Sequence, residues 1–157
     1  MARAALALVI LLAGCGLASK DFDVEQPFVA GGGPPGFSGS FNSSTIAGPL
    51  SGDVSKISSI MLTAARIEAT DGSDVSFISD ASISVSAGNN ILPTALLAKL
   101  PAPAPSGAAS VALAITPKEL KPYLQSGGAI SADISYAPTP VTARALKLVL
   151  TFHGALF

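Results

Sequence analysis

A single cysteine, Cys15, stands among the 157 residues, so no disulfide within the chain can staple the fold. Tryptophan is absent, and the aromatic set is seven Phe and two Tyr, which removes the exposed indole platform on which sugars usually stack. Charge is scarce as well: 12 % of residues are Asp, Glu, Lys or Arg, about half of the roughly 25 % typical of soluble domains. Nine basic and ten acidic residues give a net charge of -1. Neither sign is clustered, so no Lys/Arg stripe exists to follow a phosphate backbone, and nucleic-acid binding is excluded as an expectation. With one His and one Cys the chain cannot supply three nitrogen or sulfur ligands to zinc. There is no GxSxG elbow, and His153 falls on the polar side of an alternating run beside Lys147 and Thr151, where it reads as an exposed strand residue. No catalytic, cofactor-binding or metal-binding residue is therefore assigned, and the chain is expected not to be an enzyme.

What the chain does have is apolar residues, 49 % of the total, with polarity supplied by Ser, Thr and Gly. Disorder driven by high charge is ruled out for most of the chain, and the length suits one domain with its own core.

The strongest local signal lies in the first fifteen residues. Arg3 supplies one positive charge, and Ala4 to Ala13 then run without a polar side chain before Lys20 and Asp21 end the uncharged stretch. Fifteen helical residues reach about 22 Å, short of the roughly 30 Å hydrocarbon core, so this reads as a secretory signal peptide rather than a membrane span. At its end Leu12-Ala13-Gly14-Cys15 resembles the lipobox of bacterial lipoproteins. The resemblance implies that diacylglycerol is attached to the Cys15 thiol. It further implies that signal peptidase II recognises Leu12, Ala13 and Gly14 and cuts before Cys15. No cofactor is expected from the rest of the chain, which carries no cofactor-binding motif. Two or three acyl chains anchor stably where one is marginal. Gly16, rather than Asp, follows the cysteine, and by the same resemblance the outer membrane is favoured over the inner.

The domain layout expected is a leader over 1–14, a lipidated N-terminus with a tether and irregular lead-in over 15–36, and a β-sandwich over 37–157. Within 15–36, Phe22, Val24 and Phe28 fit either a first strand or a flexible spacer. Phe37, Gly39 and Phe41 alternate with Ser38 and Ser40, though a mid-strand Gly weakens that strand. Period-two alternation recurs over 81–87, 111–115, 130–136 and 146–152, the mark of antiparallel strands with one buried face. Val141 and Ala143 sit on the opposite parity to Leu146, Leu148, Leu150 and Phe152, which calls for a bulge near Arg144-Ala145. Residues 54–69 carry both helical and strand spacings, with a strand over 57–69 favoured and a hairpin turn at Asp71-Gly72. One short helix is expected over 117–126, with Thr116 to Glu119 as a capping box, Pro117 at its first position and Gly127 past its end. Leu120, Tyr123 and Leu124 would then plug one end of the core.

Two carboxylate groups, Asp21/Asp23/Glu25 and Asp71/Asp74/Asp80, could hold Ca²⁺ but lack EF-hand spacing. PAPAPSG at 101–107 reads as a stiff surface loop. The functional expectation is a membrane-anchored envelope lipoprotein whose β-sandwich is a structural or protein-interaction module with an envelope protein as partner. The alternative is a ligand-binding module for carbohydrate, lipid or Ca²⁺.

Overall fold

The computed structural model describes residues 19–50, 53–89 and 91–157; Cys15 and the other lipobox residues lie outside them. The described chain is mainly β, two antiparallel sheets packed face to face as a β-sandwich. In chain order the strands are β1 (Ser19–Ala30), β2 (Gly36–Asn42), β3 (Ile57–Ala69), β4 (Ile78–Ser86), β5 (Ala95–Lys99), β6 (Ser110–Ala112), β7 (Ala114–Ile115), β8 (Ala129–Tyr136) and β9 (Arg144–Leu156). Two five-residue helices, α1 (Ser43–Ala47) and α2 (Lys121–Gln125), cover loops. The first sheet runs β1-β9-β3-β6 and the second β2-β8-β4-β5-β7.

Alternation builds the core between the sheets. β9 contributes Leu146, Leu148, Leu150 and Phe152, β3 contributes Ile60, Leu62, Ala65 and Ile67, and β8 contributes Ile130, Ala132, Ile134 and Tyr136, all buried. Strand β1 settles the choice between strand and spacer. Phe22, Val24, Phe28 and Ala30 are buried while Asp21, Asp23 and Glu25 stay exposed, and Phe22 stacks on Phe152 at 5.5 Å. Residues 19–30 are thus a strand of the sandwich rather than a lead-in to it. In β2 the mid-strand glycine has a packing reason. A Cβ at Gly39 would lie 2.7 Å from the Phe37 ring, and that ring is itself stacked on Phe28 at 4.4 Å.

The expected strand over 111–115 is two strands in different sheets. β6 pairs with β3 and β7 with β5, and the chain crosses the core at buried Leu113, whose N–H donates to Ala65 O. This crossing joins the sheets on one side of the sandwich; on the other side the edge strands are β1 and β2, joined by the 31–35 loop.

Other expectations are corrected in detail. The favoured strand over 57–69 is present with those limits, but Asp71-Gly72 is no hairpin: β3 and β4 lie in different sheets, so the turn carries the chain between layers. No bulge occurs at Arg144-Ala145, since β9 pairs with β1 without interruption. Val141 and Ala143 are loop residues, which is why their parity differs. In the first sheet the irregularities fall instead in β3, between Ile57 and Ser59 and between Leu62 and Ala64. The helix is shorter than 117–126. Glu119 bridges to Met61 rather than entering a helix, and its carboxylate accepts from Ile60 N, Ser59 Oγ and Lys121 N at 2.9, 2.6 and 3.0 Å. Pro122 consequently falls in the first turn, where its missing N–H costs nothing. Leu120, Tyr123 and Leu124 are buried as expected, and Gly127 adopts a left-handed φ of 73° just past the helix.

Candidate functional site

The outer face of the first sheet carries the charged side chains that the sequence scatters over 130 positions. Register places Asp21 opposite His153 and Asp23 opposite Thr151. His153 Nδ1 lies 2.7 Å from Asp21 Oδ1, and the Thr151 hydroxyl donates to Asp23 Oδ1 at 2.7 Å. Further along, Lys147 reaches Glu25 at 3.1 Å and Glu68 at 2.9 Å, and Arg66 closes the row onto Glu68 at 2.9 Å. Hydrogen bonds from Lys147 and then Arg66 hold the Glu68 carboxyl below the usual carboxylate range. The reciprocal bonds to Glu68 and Glu25 raise Lys147. Val149 lies in this row, level with Glu25 on one side and Arg66 on the other. It is fully buried although its cross-strand neighbours Glu25 and Arg66 are charged, an arrangement in which the stems of those neighbours shield it.

This ladder contains an Asp–His pair but not a triad. The residue level with His153 on its other side is Met61, which offers no hydroxyl to the ring. The second acidic group does not converge either. Asp71 and Asp74 each turn back on their own loops, accepting from Ser73 N and Ser76 N at 2.9 Å, and Asp80 accepts from Ala81 N at 3.0 Å. Hydrogen bonds from Ser73 and Ser76 hold Asp71 and Asp74 below the usual range. Among the described residues no three His, Cys, Asp or Glu come together in metal-ligating geometry.

The outer face of the second sheet is different in character. Ser38, Asp133 and Ser82 form one cross-strand row, and Ser40, Ser131 and Ser84 the next. Ser38 Oγ donates to Asp133 at 2.6 Å. The result is a hydroxyl-rich face, with Asp133 and Lys99 flanking Ser82 in the first of these rows and Asp80 level with Ser135 in the row beside it.

A cleft the sequence did not suggest opens at one end of the sandwich, about 390 Å³ in volume, between the loops at 74–77 and 138–144. Phe77, Pro138, Pro140 and Val141 line it, with Asp74 and Arg144 among its polar residues, and a cis peptide at Ala137-Pro138 shapes its wall. No sequence signal could have found it, because its two loops meet only once β4 and β8 are paired. At the opposite end of the first sheet, where β1 starts, Phe157 is 78 % exposed. Its N–H donates to Lys56 O at 3.2 Å, and Lys121 Nζ lies 4.4 Å from its ring centroid.

No protein-family model matches this chain, and no curated protein matches its sequence.

Proposed function

We propose that this chain is a lipid-anchored protein of the bacterial cell envelope, with its β-sandwich acting as a non-catalytic structural or protein-interaction module. The observation that carries the reading is Leu12-Ala13-Gly14-Cys15 behind an apolar run of signal-peptide length. In support, β1 begins only four residues after Cys15, so an ordered domain follows the modification site directly. The non-catalytic part is argued from the Asp21–His153 pair, which has Met61 level with it on the other side, and from Asp71 and Asp74, which accept from their own loops. Metabolic labelling with a clickable fatty acid tests the anchor. The wild-type chain should carry label and Cys15→Ser should carry none and remain uncut, since a hydroxyl does not replace the thiol in this chemistry. Equal label on both would overturn the proposal.

The end cleft favours a second reading, a ligand-binding module. Its largely apolar wall, with Asp74 and Arg144 among its polar residues and each within electrostatic reach of the other, suits a small ligand of carbohydrate or lipid type. Thermal-shift measurements with glycans, lipids and Ca²⁺ separate the two readings, because a specific ligand raises the melting temperature by mass action.

A further inference from the structure

The two sheet edges on the β1 and β2 side of the sandwich are built differently. Tyr136 N donates to Pro35 O at 2.9 Å, which fixes the hydrogen-bonding parity of β2 against β8. Phe37, Gly39 and Phe41 exchange bonds with β8, while the N–H and C=O of Ser38 and Ser40 point to the other, unpaired edge. No strand or loop backbone bonds to that edge among the described residues. The same logic applies to β1. Thr70 N donates to Ala145 O, so the odd-numbered residues of β1 face its free edge. Those are Ser19, Asp21, Asp23, Glu25, Pro27 and Val29, with three carboxylates and a proline without an N–H, the usual means by which proteins block edge pairing. Strand β2 has no such defence. It carries no charge, no proline and no bulge.

Its sequence also reads the same in both directions about Gly39: Phe37-Ser38-Gly39-Ser40-Phe41. An antiparallel pairing about a two-fold axis at Gly39 sets Ser38 of one copy against Ser40 of the other and Phe37 against Phe41, like facing like over these five residues, with Gly36 opposite Asn42 at the ends of the strand. The parity agrees, because Ser38 and Ser40 become the hydrogen-bonded pairs and contribute about four backbone bonds across the seam. Charge agrees too, since two neutral edges meet without repulsion, whereas two β1 edges would bring six carboxylates together. We propose that β2 is a homodimer interface, where two copies of this chain join their second sheets edge to edge into one continuous sheet of isologous symmetry.

The test is cysteine cross-linking of the full chain, with two differently tagged copies co-expressed with their leaders. S38C with S40C should give a disulfide-linked pair at least about tenfold more abundant than S38C with S38C or S40C with S40C. In the proposed register only the mixed pairing brings Cα atoms within the roughly 7 Å a disulfide needs. The chain without either substitution controls for Cys15. Light scattering of the detergent-solubilised protein should find two copies per particle, falling to one in Ser38→Lys and in Ser40→Pro with the far-UV spectrum unchanged. A single copy in the wild-type protein at every concentration would overturn the proposal, and so would equal cross-linking in all three pairings.

Discussion

Two valines on the polar side of the last strand's alternation have opposite weights. Val149 is fully buried between Glu25 and Arg66, and Val141 is 99 % exposed in a loop. Val149→Ala should cost about 1–2.5 kcal/mol, from lost burial of two methyl groups plus a small cavity, while Val141→Ala should stay within about 0.5 kcal/mol. Urea unfolding measures both. His153→Gln should also change stability by only about 0.5 kcal/mol, because a half-exposed pair with Asp21 gains little in water. Tyr136 is a sharper case. Its hydroxyl is buried and has no hydrogen-bond partner among the described residues, and burial pushes its pKa up to about 12. Below pH 10 both folded and unfolded chains hold the proton and nothing is lost. Between about pH 10 and 12 the unfolded chain ionises first, so stability falls as pH rises. Tyr136→Phe should be neutral or stabilising at pH 7 and should flatten that alkaline loss in a pH series of unfolding curves. At this scale the sequence showed that Lys147, Thr151 and His153 share a polar face, since period two suffices for that. It could not show Asp21, Asp23 and Glu25 as their partners, because pairing depends on a register set over 120 residues away.

Among the elements, β1 and the Glu119 segment carry the most consequence. A chain starting at residue 37 lacks β1, which would leave one whole side of β9 unpaired and Phe152 without its stacked neighbour. It should lose cooperative urea unfolding altogether, whereas a chain starting at Ser19 should keep it. Burial raises the Glu119 carboxyl, but hydrogen bonds from Ser59, Ile60 and Lys121 outweigh that and leave it below its ordinary range. Its contribution is therefore present above the unfolded carboxylate pKa and is lost as pH falls through the folded one. Glu119→Ala should cost about 1–3 kcal/mol at pH 7, since Ile60 N loses its partner, and the gap to wild type should narrow in acid. The limits of β3 were legible because Asp71-Gly72 ends a long apolar alternation. Strand β5 and helix α1 were not. Ala95–Lys99 has no alternation to read, and α1 rests on Asn42, whose side chain accepts from Thr45 N at 2.9 Å, a cap indistinguishable in sequence from an ordinary polar loop. The division at Leu113 was equally hidden, because a strand that changes sheets keeps its period of two.

For the molecule as a whole, the β-sandwich was legible from repeated alternation between Gly and Pro turns, and the end cleft was not, since it exists only where distant loops meet. The start of β1 has a consequence for how such a molecule occupies space. From Cys15 to Ser19 the backbone spans at most about 14 Å, close to the radius of gyration of about 14 Å expected for a domain of this length. With Cys15 acylated as proposed, the tether holds Ser19 within about 14 Å of the anchor, so the end of the sandwich bearing Ser19, Phe157, Lys56 and Lys121 stays near the bilayer and the Pro138–Val141 loop lies at the far end. Encounters with anything else are then confined to a layer one domain thick, where the search for a partner is two-dimensional.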